Sequence, residues 1–127
     1  MTIGRFEDVV AWQKGRELNK LLFRVLQNNK NFSFKDQMFR ASLSITNNIA
    51  EGFERGGDKE LRQFLIVARG SAAEVRSMLY TALDNQYIDQ EQFEDLLHKT
   101  QDIGKLLTGF IKKLSPQQQS DNKTIRQ

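Results

Sequence analysis

Residues 37–52 carry the sequence QMFRASLSITNNIAEG, which decides the fold class. Apolar side chains recur there at three- and four-residue intervals, which predicts one amphipathic helix. The polar side of this helix is a single arc formed by Arg40, Ser44, Asn47, Asn48 and Glu51. Surface helices usually fill such an arc with Lys and Glu. Short side chains with hydrogen-bonding capacity instead predict a face that meets protein or a ligand.

Capping and helix-breaking residues predict three more helices around this one. The predicted helices cover about residues 6–28, 33–55, 58–83 and 89–114. Ser33 and Asp58 are the expected N-caps of the second and third helices. Asp89 and Gln92 predict a capping box at the start of the fourth helix, and Pro116 stops it.

Four such helices with short connections predict an all-α fold, an antiparallel up-down-up-down four-helix bundle. The bundle is expected to occupy residues 1–114 as one domain. Residues 115–127 are polar and Gln-rich, which predicts a disordered tail. No sustained alternation of apolar and polar residues predicts a strand.

The composition excludes several classes of protein. Cysteine is absent from the 127 residues, which rules out disulfides and thiolate metal sites and agrees with a reducing cytoplasm. Met1–Val10 lacks the apolar core of a signal peptide, and no apolar run is long enough to span a membrane. We therefore expect a cytoplasmic protein without membrane contact. The formal net charge of +3 permits binding to nucleic acid or to an acidic protein.

The apolar arcs predict association between copies of the chain. Apolar or small residues cover roughly 200° of the second helix, from Ala41 around to Leu43, whereas a little over 100° suffices in an isolated bundle. The first helix is similarly wide. A monomer would expose part of the set Trp12, Phe23, Phe39 and Phe53. Such patches usually mark interfaces, so we expect a homo-oligomer with contacts on helices one and two. Alternatively, helix crossing angles and the tail cover the excess.

Arginine recurs at seven-residue intervals, at Arg55, Arg62, Arg69 and Arg76. The last three lie within roughly 40° of one another on the third helix. Because Arg makes bidentate contacts with phosphate, this pattern predicts a ridge that binds a phosphate backbone. The alternative is ion pairing with nearby acids, namely Glu51, Glu54, Glu60 and Glu74. A second candidate basic patch on helix one comprises Lys14, Arg16 and Lys20.

Glycine occurs inside three predicted helices, at Gly15, Gly70 and Gly104. A glycine in a helix interior costs roughly 1 kcal/mol relative to alanine. Close approach of helix backbones would offset that cost and is the favoured interpretation. Open space for a ligand is the alternative.

The inventory of reactive side chains predicts no enzyme. His98 is the single histidine, so a histidine-dependent metal site or a Ser/His/Asp triad has too few components. No glycine-rich phosphate loop is present, and we expect no catalytic residue, metal or cofactor. Trp12 lies among helix-spaced apolar residues, which favours a core or interface anchor over a stacking platform.

Three segments together resemble one known family. They are Phe6 with VAWQ at 10–13, Gln37 and RA at 40–41 leading into SITNNIAEG at 44–52 with Arg55, and FL at 64–65 followed by ARGS at 68–71 with Glu74. The chain resembles the four-helix-bundle proteins encoded in 23S rRNA intervening sequences, often labelled S23 ribosomal proteins. The resemblance covers about residues 6–114. Thr46 departs from it, since the family commonly has Pro there.

The resemblance implies a non-enzymatic up-down bundle that assembles as a homopentamer. The family is similar to the accessory variability determinant of diversity-generating retroelements, a basic pentameric barrel that associates with a reverse transcriptase and nucleic acid. Two hypotheses follow. Basic surface repeated around the ring binds RNA, DNA or a nucleic-acid-processing partner; alternatively, the ring is a scaffold for a protein partner. In both, the polar face of the second helix serves assembly and helix packing first, and direct ligand binding second.

Overall fold

The computed structural model describes residues 4–114, and over that range the chain is helical and contains no strand. A short 3-10 turn at Phe6–Asp8 precedes four α-helices. They are α1 Val10–Leu26, α2 Phe32–Glu54, α3 Asp58–Asp84 and α4 Gln90–Lys113. The prediction of an all-α, four-helix chain is confirmed. The predicted tail at 115–127 lies outside the described residues.

Two helix starts differ from the prediction. Helix α1 begins at Val10 because residues 6–8 form a separate turn, closed by the Val9 N–H donating to the Phe6 carbonyl at 2.9 Å. The N-cap of α2 is Asn31, not Ser33. Its side-chain oxygen accepts a hydrogen bond from the backbone N–H of Phe34 at 3.1 Å, so Ser33 lies inside the first turn.

The starts of α3 and α4 show two ways to begin a helix. Gly57 is the N-cap of α3 and makes no side-chain cap, so the prediction that Asp58 caps this helix is wrong. Asp58 lies in the first turn, where its negative charge is favourable near the helix N-terminus. The predicted capping box of α4 is confirmed. Asp89 accepts from the Gln92 N–H at 2.7 Å, and the Gln92 side chain accepts from the Asp89 N–H at 2.9 Å.

Successive helices run antiparallel and enclose one core. Contacts between neighbouring helices join Phe23 to Phe39, Gln37 to Glu74, and Tyr80 to Phe93. Helix α1 also packs against α4, so the four helices close in the order α1, α2, α3, α4. Each helix contributes fully buried side chains to the centre, including Leu18, Leu22, Ile45, Ile49, Leu65, Leu79, Ile103 and Leu107. Burial of each such side chain stabilises the fold by about 1.5–3 kcal/mol. None of the helices within residues 4–114 is both long and apolar enough to cross a membrane.

A small polar network fixes α1 against α2 inside this apolar core. The Asn19 amide donates to the Thr46 hydroxyl at 3.3 Å and accepts from the Ser42 hydroxyl. The Thr46 hydroxyl donates to the Leu43 carbonyl at 3.1 Å, so this buried residue is satisfied. Helix α2 continues without interruption through Thr46, as expected for a position without the ring of Pro.

The glycines fall into two groups. A Cβ on Gly15 would meet Cγ2 of Thr46 at 2.7 Å, so the predicted close approach is correct there. It is wrong for Gly70 and Gly104, where no atom of another structural element lies within 4 Å of the added carbon. A second close approach is at Gly52, where a Cβ would lie 2.6 Å from Cβ of Phe64. Helices α2 and α3 therefore pack closely at Gly52.

Gly52→Ala should destabilise the fold by about 2 kcal/mol or more, because Cβ of Phe64 is fixed to its backbone and α2 must move away from α3. The matched control is Gly70→Ala, which meets open space and should stabilise by about 0.5–1 kcal/mol through helix propensity. Chemical denaturation of both variants measures the difference. Equal stability of the two would contradict a tight α2–α3 contact.

Candidate functional site

A groove of about 550 Å³ lies between α3 and α4. Its deepest residues are small: Ala72 and Thr100 are buried, and Gly104 contributes no side chain. The Thr100 hydroxyl donates to backbone carbonyls of its own helix, at 2.8 Å for Leu97, so it stays in the wall. The groove is open where α4 has a glycine because no neighbouring side chain occupies that space.

Cations form the rim of this groove. Arg69 and Arg76 line it from α3, and Lys105 lines it from α4. No Asp or Glu lines the groove, and within residues 4–114 no carboxylate forms an ion pair with these three cations. Arg69 Nη1 donates to the Thr108 hydroxyl at 3.4 Å, which links the two rims. The positive charge of the groove is therefore not neutralised by the described part of the chain.

The two other arginines of the ridge differ in environment. Arg55 lies outside α3 and pairs with Glu51 at 2.8 Å, with its guanidinium 5.1 Å from the centre of the Phe64 ring. Arg62 is half-buried, and its Nε finds no hydrogen-bond partner among residues 4–114. Of the proposed acid partners, only Glu51 pairs with an arginine of the ridge over this range. Ion pairing thus accounts for Arg55 and leaves the arginines of α3 unpaired.

The structure does not bring the basic residues of helix one together. Lys14 lines a cavity together with three acids, one histidine and one lysine, namely Glu17, Asp95, Asp102, His98 and Lys99. Lys20 lies 3.9 Å from Glu17, which partly neutralises it. The guanidinium of Arg16 lies 5.8 Å from the centre of the Trp12 ring. Trp12 itself is half-buried and packs edge-on against Phe6 at 5.2 Å. Acidic side chains thus lie near Lys14 and Lys20, whereas no Asp or Glu lines the α3–α4 groove.

The polar face of α2 divides into two parts. Ser44 and Asn48 turn toward α3, where the hydroxyls of Ser44 and Ser71 lie 2.8 Å apart. The Asn48 amide donates to the backbone carbonyl of Ser44 at 2.7 Å and to its hydroxyl at 2.9 Å. Both residues are half-buried and have their hydrogen bonds within one subunit. Their geometry is that of helix-packing residues.

The rest of that face is exposed to solvent. Arg40 pairs with Asp36 at 2.8 Å, and this hydrogen bond together with the charge of Asp36 raises the pKa of Arg40. Glu51 pairs with Arg55 as described above. Asn47 is exposed and makes no side-chain hydrogen bond within residues 4–114. Asn47 is thus the member of the polar face without a side-chain hydrogen bond over this range.

A second groove, of about 450 Å³, lies between α1 and α2 and is mostly apolar. Phe23 is 57% exposed and Leu43 is 47% exposed, and both line it. Phe39 packs against Phe23 with ring centres 5.1 Å apart. Lys20 and Arg24 border the groove. Four aromatic residues were candidates for solvent exposure in a monomer, and of these Phe23 is exposed. The other three, Trp12, Phe39 and Phe53, are partly buried against the core.

Comparison with known proteins identifies the family. Residues 7–109 match the family model described as 23S rRNA-intervening sequence protein. The chain belongs to this family. Among solved structures it is similar to a protein of unknown function from the S23 ribosomal protein family of Bacteroides thetaiotaomicron. The two are 26% identical with a TM-score of 0.75, over 80% of this chain and 98% of that chain. No curated protein matches the chain.

Sequence reasoning found the α3 arginines but missed the residues opposite them. Gln101, Lys105 and Thr108 line the groove from α4. Their spacing of four and then three residues places them on one helix face, a signal present in the sequence. The sequence alone does not show that this face of α4 lies opposite the arginines, because its position depends on the register between α3 and α4. Within residues 4–114, no group of three or more acidic or histidine side chains is arranged to hold a metal ion.

The charges of the groove should weaken the isolated fold slightly. Arg76→Gln removes repulsion within the cationic rim, so it should raise the free energy of unfolding by a few tenths of a kcal/mol at low salt. Arg55→Gln, the same chemical change, breaks an ion pair and should lower it by a similar amount. Denaturation at low and high salt measures both, and salt should shrink each effect. A destabilising Arg76→Gln would show that Arg76 has a stabilising partner.

Proposed function

We propose that this family member is a non-enzymatic, cytoplasmic, homopentameric protein that binds nucleic acid, RNA or DNA, through basic surface repeated around the ring. The observation that carries the proposal is the α3–α4 groove, whose rim holds Arg69, Arg76 and Lys105 without a carboxylate. Phosphate is the ligand that such a set favours, because arginine forks bind its oxygens in pairs and lysine adds a point charge.

The weak net charge of one subunit agrees with an assembled form. A single chain carries a formal net charge of +3, which attracts a polyanion only modestly. A ring repeats the same cationic groove at each subunit, so several grooves contact one strand at once. Linked contacts of this kind raise the overall affinity without any new interaction within each subunit.

The apolar α1–α2 groove supports the proposed assembly. Phe23 and Leu43 expose large apolar side chains next to each other, which favours a subunit contact over free solvent. A ring needs a contact between two different surfaces of the same chain. We assign the α1–α2 groove to one side of that contact, with Arg40, Asn47 and Glu51 near it on the exposed side of α2.

A scaffold that binds a protein partner is the second candidate. The same apolar groove, bordered by Lys20 and Arg24, suits an acidic, amphipathic segment of a partner protein. The resemblance to the accessory variability determinant supports a nucleic-acid-processing partner such as a reverse transcriptase. In that case the ring holds its partner with or without direct contact to nucleic acid.

Reversal of charge at the groove should abolish most binding to nucleic acid. Arg69→Glu with Arg76→Glu removes two phosphate contacts and adds repulsion, so affinity for labelled RNA should fall by about tenfold or more at low salt. The control, matched in net charge, is Lys14→Glu with Arg16→Glu on α1, because neither residue lines the α3–α4 groove or the α1–α2 groove. Gel-shift or filter binding measures both double variants. A larger loss with the α1 pair would move the binding surface to that helix.

The assembly can be tested separately from binding. Leu43→Asp places a charge in the α1–α2 groove and should shift the particle mass from pentamer to monomer, because burial of an unpaired carboxylate is unfavourable. Phe32→Asp is the matched control, since Phe32 is 70% exposed and does not line that groove. Light scattering coupled to size exclusion gives the mass. A pentamer that survives Leu43→Asp would contradict an α1–α2 contact.

A further inference from the structure

We propose that the α3–α4 groove binds the sugar–phosphate backbone of a single strand, with Gly104 as the point where the strand comes closest to the helix. This inference rests on the proposed nucleic-acid binding and adds the form of the ligand and its place. The groove has a cationic rim and small residues at its base, which together suit a narrow, negatively charged chain.

The shape of the groove favours a single strand over a duplex. Two packed helices have axes about 8–10 Å apart, so the depression between them is narrow. A duplex carries its phosphates on the outside of a wide, stiff rod, whereas a single strand is flexible and can enter a cleft. The volume of about 550 Å³ is sufficient for a few groups of one backbone.

The arrangement of the donors allows contacts with more than one phosphate of that strand. Arg69 and Arg76 are separated by about 10.5 Å along the helix axis, since each residue rises 1.5 Å. Lys105 stands on the opposite rim, and Thr108 holds Arg69 across the groove. A strand that follows the groove would pass from one arginine to the other with a lysine on its other side.

The absence of aromatic residues from the groove lining predicts little dependence on base sequence. Proteins that bind single strands often stack bases on aromatic rings, and each stacked base contributes to affinity. The residues described as lining this groove are small, polar or cationic. Binding should therefore follow backbone charge, and thymidine and cytidine homopolymers should bind with similar affinity.

Gly104 is the residue that keeps the groove open. A glycine at this position destabilises the helix by roughly 1 kcal/mol, and no neighbouring group packs into the space it leaves. Gly15 and Gly52 differ, because a side chain there would clash with the facing helix. Gly70 and Gly109 are also open, but neither lines this groove. Gly104 thus destabilises its helix but leaves room for a ligand to reach the cationic rim.

The decisive variant fills the groove without changing its charge. Gly104→Leu should fold at least as stably as the natural chain, because leucine is a good helix former and its Cβ would have no neighbouring atom within 4 Å. It should lower affinity for labelled oligouridine and oligothymidine by about tenfold, since the strand can no longer reach both rims. Gly109→Leu makes the same change outside the groove and should leave affinity within about twofold. Fluorescence anisotropy at low salt measures binding, and thermal unfolding checks the fold.

The outcomes separate this inference from the proposed function. If Gly104→Leu binds as tightly as the natural chain while Arg69→Glu with Arg76→Glu weakens binding, nucleic acid contacts the cationic rim without entering the groove, and only this inference is overturned. If the natural chain binds neither strand at low salt, the proposed function itself fails. Tighter binding of a matched duplex than of either single strand would also overturn the inference. Competition by inorganic phosphate, beyond that of chloride at equal ionic strength, would support phosphate contacts in the groove.

Discussion

Gly52 of α2 lies so close to Phe64 of α3 that an added methyl group would overlap the facing side chain. This contact holds α2 and α3 close together next to the turn that joins them, and the two helices pack antiparallel from there. Further along the same interface, the hydroxyls of Ser44 and Ser71 meet. Burial of Leu65 and Leu79 in the core leaves Arg69 and Arg76 on the side of α3 that lines the groove with α4. The close packing of α2 and α3 and the apolar stripe of α3 together determine which surface the arginines occupy.

The sequence predicts the helices and their number because both depend on local patterns. Apolar periodicity and the Asp89–Gln92 capping box act over a few residues, and the structure bears them out. It predicts helix starts less well, because Asn31 and Ser33 can both cap a helix and only the path of the preceding chain selects Asn31. The role of each glycine also depends on what faces it. Gly15 and Gly70 look alike in the sequence, yet only the first meets a facing helix. For the same reason, the sequence alone does not place Lys105 opposite the arginines, since its position depends on the register of α3 and α4.

Unpaired charge and exposed apolar surface both oppose stability in a small domain, and this chain retains both. Its core holds fully buried Leu and Ile from all four helices. Their burial contributes free energy of folding that offsets the destabilising effect of the two surfaces. Arg55 shows that the sequence can neutralise an arginine, since Glu51 lies one turn before it. No equivalent acid lies beside Arg69 or Arg76 within residues 4–114. Natural proteins commonly keep such destabilising groups where binding requires them.

The order of the helices keeps the two surfaces apart. In a bundle closed as α1, α2, α3, α4, the groove between α1 and α2 lies on the opposite side from the groove between α3 and α4. One side is apolar and exposes Phe23 and Leu43; the other is cationic and contains no lining carboxylate. A subunit contact made by the first groove would therefore use no residue that lines the second. The same antiparallel topology that builds the core thus gives one short chain two separate surfaces, one apolar and one cationic, because neither groove needs residues of the other.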